Sequence, residues 1–143
     1  MGKSICVFTA SYHAVLGQMK EFDVFVDNKP GELARVTDAL AQSAINIRGL
    51  ATEKRSVKPV IKVITDDEVS TRRSLQRMGF VFEEFEVIML DLVDRPGEIA
   101  KVAKKAAKAG LNIESIFLIG KKESAVSMAV LTNDLKKAKE ALL

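Results

Sequence analysis

Residues 28–36 read Asn-Lys-Pro-Gly-Glu-Leu-Ala-Arg-Val, and residues 94–102 read Asp-Arg-Pro-Gly-Glu-Ile-Ala-Lys-Val, an offset of 66. The same offset carries Ala44-Ile45 onto Gly110-Leu111 and Asn46-Ile47 onto Asn112-Ile113. A nine-residue match with a second match downstream at one offset marks an internal repeat. The chain has 143 residues, so it divides into two units of roughly 60 to 66 residues, each too small to bury much core alone. The expected division is an N-terminal extension at 1–19, a first unit at 20–84 and a second at 85–143.

Each unit predicts the same elements. Phe22–Val26 alternates and is bounded by Asp27 and Asn28, a strand signal. Its partner, Val87–Val93, is more continuously apolar, as a strand buried on both faces would be. Pro-Gly-Glu then opens a helix, with Pro where a missing N–H costs nothing. Leu33, Val36 and Leu40 form a stripe at helical spacing, repeated by Ile99, Val102 and Ala106. Gly110 suits the C-terminus of the second of these helices. Strands follow at 47–53 and 113–120, returning antiparallel at 58–65 and 124–132 after turns at 54–57 and 120–123. A second helix is expected at about 68–78, and its counterpart after Asn133 as N-cap, with Leu135, Ala138 and Leu142 on one face. Phe80–Phe85 reads as the last strand of unit one, running without a linker into unit two. The order β-α-β-β-α-β is the ferredoxin-like arrangement, an α+β fold. With no Gly/Ser or Pro-rich hinge between them, the units should form a rigid pair.

Composition narrows the function classes. The chain is 48% apolar and 29% charged, in the range of a soluble globular domain. No apolar run reaches the roughly 18 residues a membrane-spanning helix needs. A single cysteine, Cys6, excludes an internal disulfide and a Cys-rich zinc site, and a single histidine, His13, makes a His-based metal site or general base poorly supported. Net charge is +3 with basic and acidic residues interleaved, so the balance points to no nucleic acid. RNA-recognition modules of this topology display aromatics on their central strands. Here those strands carry Ile, Leu, Val and Met, with Phe117 the exception. The expected location is the cytoplasm, with no membrane association, no cofactor, no metal and no catalytic residue.

The strand, the Asp/Asn-x-Pro-Gly-Glu-Leu/Ile-Ala-x-Val motif, the helix and the Asn-Ile opening the next strand together resemble the ACT domain, in two copies over residues 20–143. The resemblance implies two ferredoxin-like units side by side as a pseudo-dimer with antiparallel sheets. It also implies a stand-alone regulatory module that is not an enzyme, binds an amino acid where units meet, and tunes a metabolic enzyme in trans. Similar regulatory domains bind serine through asparagines matching Asn28 and Asn46, with a further polar side chain where this chain has Val26 and Leu92.

The residues support a ligand site on their own terms. A loop that opens a helix presents free backbone N–H groups, and the helix dipole favours an anion there. The loops Asn28, Lys29, Pro30, Gly31, Glu32, Leu33 and Asp94, Arg95, Pro96, Gly97, Glu98, Ile99 could therefore hold a carboxylate. Asn28, Asp94, Asn46 and Asn112 offer acceptors for an ammonium group, with Ile47 and Ile113 beside the last two. Each has a plainer role: Asn28 and Asp94 as turn or cap residues, Asn46 and Asn112 as helix-ending residues, Glu32 and Glu98 as complements to the helix dipole. The trio Asp66, Asp67 and Glu68 reads as a helix start, and Arg72 and Arg73 as a solvated helix face.

Three alternatives compete with a sensor. An acylphosphatase-like hydrolase on this scaffold would use a basic anion-cradling loop, and Lys29 and Arg95 occupy the loops, yet nothing positions a nucleophile. A metal chaperone would need Cys-x-x-Cys. A structural subunit of a biosynthetic enzyme, acting through protein contacts, is the strongest of the three, given Asn-Ile-Glu-Ser-Ile at 112–116. Unit two ends inside or just after its second helix, so a vacancy is expected beside its first strand. Residues 4–12, rich in β-branched and aromatic side chains, are expected to fill it as a strand. Unpaired strand edges further predict a homodimer.

Overall fold

The computed structural model describes the backbone of residues 12–54 and 58–143, with side chains from Met19 onward. Ten elements follow in order: β1 (Tyr12–Phe25), α1 (Glu32–Gln42), β2 (Ile47–Glu53), β3 (Val60–Thr65), α2 (Glu68–Arg77), β4 (Val81–Val93), α3 (Glu98–Lys108), β5 (Ile113–Lys122), β6 (Ala125–Thr132) and α4 (Leu135–Leu142). The strands make one antiparallel sheet in the order β2-β3-β1-β4-β6-β5. The fold is α+β and is built from two ferredoxin-like units.

Its centre is the pair β1 and β4. Met19–Phe25 pairs with Val87–Val81, and beyond an irregularity Tyr12–Val15 pairs with Leu92–Met89. Each long strand therefore serves both halves. The first half of β4 completes the unit built on α1 and α2, and the first residues of β1 lie beside the part of β4 that pairs with β6. Of the strand expected over 4–12, all but Tyr12 lies outside the described residues. The separate strands expected at 80–85 and 87–93 are one strand, because Glu86 interrupts neither the pairing nor the extended backbone. Likewise the strand expected from Phe22 already runs from Tyr12 among the described residues.

Side chains alternate across this sheet. Phe22, Val24, Val26, Ile61 and Val63 pack under α1 and α2 with Val36, Leu40 and Leu75. Ile88, Leu90, Leu92, Met128 and Val130 pack under α3 and α4 with Val102, Ala106 and Leu142. The helix-free faces share a third cluster of Ile64, Val87, Met89, Phe117, Ile119, Ala129 and Leu131. The sheet curls until its edge strands β2 and β5 meet, and a Cβ at Gly49 would sit 3.2 Å from Ile119 Cγ2 and 3.4 Å from Phe117 Cδ1. Val87–Leu90 of β4 is thus buried on both faces, as the apolar run from Val87 predicts, while Val81, Glu83 and Glu86 in its first half are exposed.

The caps follow local chemistry with one change. Asp67 Oδ1 accepts from Ser70 N at 2.9 Å and opens α2, so the acidic trio is a helix start. α4 is capped by Asp134, whose carboxylate accepts from Lys137 N at 2.9 Å, rather than by Asn133. Asn133 is occupied elsewhere: its Oδ1 accepts from Asn112 N at 2.9 Å and its own N–H bonds Asn112 O at 3.2 Å. Leu33 and Ile99 leave the expected core stripe. They lie in the first turn of their helices and are 41% and 50% exposed, while Val36, Leu40, Val102 and Ala106 stay buried. The turn expected at 54–57 lies largely outside the described residues, and its counterpart is a tight Glu123-Ser124 connection.

Candidate functional site

The two motif loops have the same construction. Lys29 N bonds Asp27 O at 3.0 Å, and Arg95 N bonds Val93 O at 2.9 Å, tightening each chain reversal. Gly31 and Gly97 then adopt φ of 95° and 92°, a left-handed conformation that disfavours any side chain. Arg35 N to Gly31 O at 2.9 Å and Lys101 N to Gly97 O at 3.1 Å close the first helical turns.

In both copies the glutamate after the glycine folds under the loop and is buried. Glu32 accepts from Arg35 Nη1 at 2.8 Å and from Asp27 N at 3.4 Å, with Lys29 Nζ at 3.7 Å. Glu98 is held by Lys101 Nζ at 2.7 Å and by Arg95 Nε. The Arg35 hydrogen bond holds the Glu32 carboxyl below the usual range, and Lys101 with Arg95 does the same for Glu98. Arg35 and Lys101 stand at the repeat offset and recur as Glu-x-x-Arg/Lys, a signal for an i,i+3 ion pair that the motif reading passed over.

The loops differ in what surrounds them. Beside the first lies a pocket of about 190 Å³ lined by Phe25, Asp27, Glu32, Arg35, Lys58 and Phe80, among others. The Arg35 guanidinium stacks 4.9 Å above the Phe80 ring. The pocket therefore presents two cations, one of them Arg35 already bonded to the buried Glu32, an exposed carboxylate in Asp27 and an aromatic wall. Lys58 and Phe80 come from the turn before β3 and the approach to β4, and nothing in the motif points to them. At the second loop, Asp94 Oδ2 pairs with Lys121 Nζ at 2.6 Å.

Asn28, Lys29, Pro30 and Gly31 are exposed on the first loop, as are Asp94, Arg95, Pro96 and Gly97 on the second. Asn46 and Asn112 are exposed at the far ends of α1 and α3, ahead of Ile47 and Ile113. An 11-residue helix spans about 16 Å, so within one unit the loop and its asparagine stand apart. No hydrogen bond or ion pair among the described residues joins a loop to either asparagine. Asn46 O accepts from Asp66 N at 3.4 Å, and Asn112 is tied to Asn133.

A second charged feature lies between the halves. Lys62 Nζ, on β3, bonds Glu21 Oε1 at 2.8 Å and Asp23 Oδ2 at 3.0 Å, both on β1. Ser115 Oγ, on β5, donates to Glu21 Oε2. Glu21 is fully buried, and burial pushes its carboxyl up despite the Lys62 bond. Among the described residues no group of His, Cys, Asp and Glu is arranged to hold a metal, and no helix is long and apolar enough to cross a membrane.

Fold and loops together define two ferredoxin-like units, each opening its first helix with the same Pro-Gly-Glu loop. No family model and no curated protein matches the chain. Solved structures do. A protein of Bacteroides thetaiotaomicron superposes with a TM-score of 0.78 at 23% identity, over 87% of this chain and 86% of that one. The ligand-free regulatory subunit of aspartate kinase from Thermus thermophilus gives 0.65 at 17% identity over 94% and 98%. The corresponding subunit from Thermus flavus gives 0.67 at 18% over 93% and 93%. At these identities the likeness is one of fold.

Proposed function

We propose that this chain is a non-catalytic, amino-acid-binding regulatory module of the cytoplasm, organised as units at 20–84 and 85–143, that acts on a metabolic enzyme in trans. The observation that carries the reading is the pocket at the first motif loop. Arg35 and Lys58 suit a ligand carboxylate and Asp27 an ammonium group, within one small cavity. Regulatory subunits of aspartate kinase among the structural neighbours support a role beside an enzyme. Asn28 through Leu33 and Asp94 through Ile99 are the proposed loop contacts. Asn46, Ile47, Asn112 and Ile113 are the proposed contacts from a second unit, since α1 and α3 hold them away from their own loops. A homodimer fits that geometry. Leu33 with Ile99, and Leu50 with Ile116, are apolar and more than a third exposed at positions related by the repeat. Those same four residues favour the second reading, a structural subunit working through protein contacts.

A thermal-shift panel of the amino acids separates the two. A ligand present at 100 times its Kd stabilises the fold by about 2.7 kcal/mol, several degrees for a domain of this size. The sensor reading expects such a shift from one or a few amino acids at about 10 mM, lost in Arg35→Ala. If every amino acid leaves the melting point unchanged, the structural reading replaces it.

A further inference from the structure

α2 carries Ser70, Arg73, Ser74 and Arg77, spaced i, i+3, i+4 and i+7, so that they share one helix face. Ser43, the C-cap of α1, closes the other side. Together they line a pocket of about 230 Å³. That is below the ~300–1,000 Å³ of sites for drug-sized ligands. No carboxylate is among these five residues, and Asp67 stands at the edge, its Oδ2 accepting from Ser70 Oγ at 2.6 Å.

The polar groups are prearranged. Ser74 Oγ, on a buried residue, donates to Ala39 O at 2.6 Å and accepts from Ser43 Oγ at 3.2 Å. Ser43 Oγ in turn accepts from Arg77 Nη2 at 3.1 Å. This chain anchors one guanidinium nitrogen of Arg77 at the rim, and among the described residues its other N–H groups have no partner. Arg77 by itself would be a complement to the helix C-terminus. Arg73, mid-helix, has no such role. It makes no hydrogen bond or ion pair among the described residues, and it adds only weakly to the Ser70 hydrogen bonds that hold the Asp67 carboxyl low. Its neighbour Arg72 behaves differently, spent on Glu84 through Nε and through Nη2 at 2.8 Å. The hydroxyl protons of Ser43, Ser70 and Ser74 go to Ser74 Oγ, Asp67 Oδ2 and Ala39 O, so the free donors are the two guanidinium groups one turn apart, whose planar forks match tetrahedral oxyanions.

We propose that Ser43, Ser70, Arg73, Ser74 and Arg77 form a binding site for a phosphoryl oxyanion, either free phosphate or a small phosphomonoester. The site stands at the opposite end of α1 from the amino-acid pocket and does not depend on it.

Titration of the full chain with sodium phosphate and, separately, with glycerol 3-phosphate, followed by amide chemical shifts, tests this. Chloride at matched ionic strength is the control. The expected result is saturable movement of the Ser43, Ser70 and Ser74 amides, weakened tenfold or more in Arg73→Ala/Arg77→Ala and unchanged when an exposed α3 lysine outside the pocket is removed, Lys104→Ala. The single Arg73→Ala, which removes no hydrogen bond, should already weaken it. The tighter of the two probes identifies the source. An equal response to chloride, no saturation, or an unchanged response in the double variant would overturn the proposal.

Discussion

The repeat supplies its own controlled experiment at the helix C-termini. Gly110 ends α3 at φ 67°, and its repeat partner Ala44 ends α1 at φ 53°. Both make the same closing bonds: Gly110 N to Ala107 O at 3.0 Å and Leu111 N to Ala106 O at 2.9 Å, against Ala44 N to Ala41 O at 2.9 Å and Ile45 N to Leu40 O at 3.0 Å. A left-handed conformation costs an L-residue roughly 1–2 kcal/mol, from which glycine is exempt. Glycine's extra entropy in the unfolded chain gives back about 0.5–1 kcal/mol. Ala44→Gly should therefore stabilise the protein by about 0.5–1 kcal/mol, and Gly110→Ala should destabilise it by a similar amount. A built Cβ at Gly110 meets nothing closer than Lys137 Nζ at 3.9 Å, so conformation and not packing sets the second number. For 143 residues, 1 kcal/mol is about 3 °C in melting temperature. Urea unfolding of both single variants and the double variant is the assay, and the double should lie near wild type, since separate sites add. An unfolding free energy lowered by Ala44→Gly, or raised by Gly110→Ala, would refute the strain argument.

Two further perturbations address the junction between the halves. Gly49→Val places atoms against Ile119 and Phe117 where even a Cβ is tight, and should cost about 1–3 kcal/mol by urea unfolding, with Ile119→Ala restoring part of the loss. Lys62→Met strands Glu21 and Asp23 in the interior and should cost about 3–5 kcal/mol at pH 7. Glu21 has a raised folded-state pKa, so its favourable contribution is present below its unfolded value of about 4.5 and fades as pH rises through the folded value. The Lys62→Met loss should accordingly shrink toward pH 4.5. An equal loss at both pH values would show that the Glu21 carboxyl does not control it.

How much was legible depended on whether the signal was local. The Pro-Gly-Glu loops, the helices they open and β2 could be read because turn chemistry and periodicity act within a few residues. The long strands β1 and β4 could not, since Glu86 and Lys20 break an apolar pattern without breaking backbone pairing. Asp23 sits in an alternating strand that reads as half solvated, yet it is buried because the other half of the chain covers that face. The first pocket was half legible. Glu32 and Arg35 belong to the motif and Asp27 directly precedes it, but Lys58 and Phe80 arrive from segments whose proximity only the tertiary fold sets. Asn133 was a fair cap by type, and lost the position to Asp134 because a cross-chain bond to Asn112 claimed it.

The exchange of strand segments between the halves has a consequence for how the chain reaches its fold. Tyr12 pairs with Leu92, 80 positions later, so a partner needed early in the sequence exists only once the second repeat has emerged. Synthesis from the N-terminus therefore leaves the start of β1 waiting with an unsatisfied edge while α1, α2 and their strands assemble. Contacts of such long sequence separation slow folding and prolong the exposure of pairing-competent backbone. The two copies of the repeat behave less like beads that fold in turn than like two hands that close together.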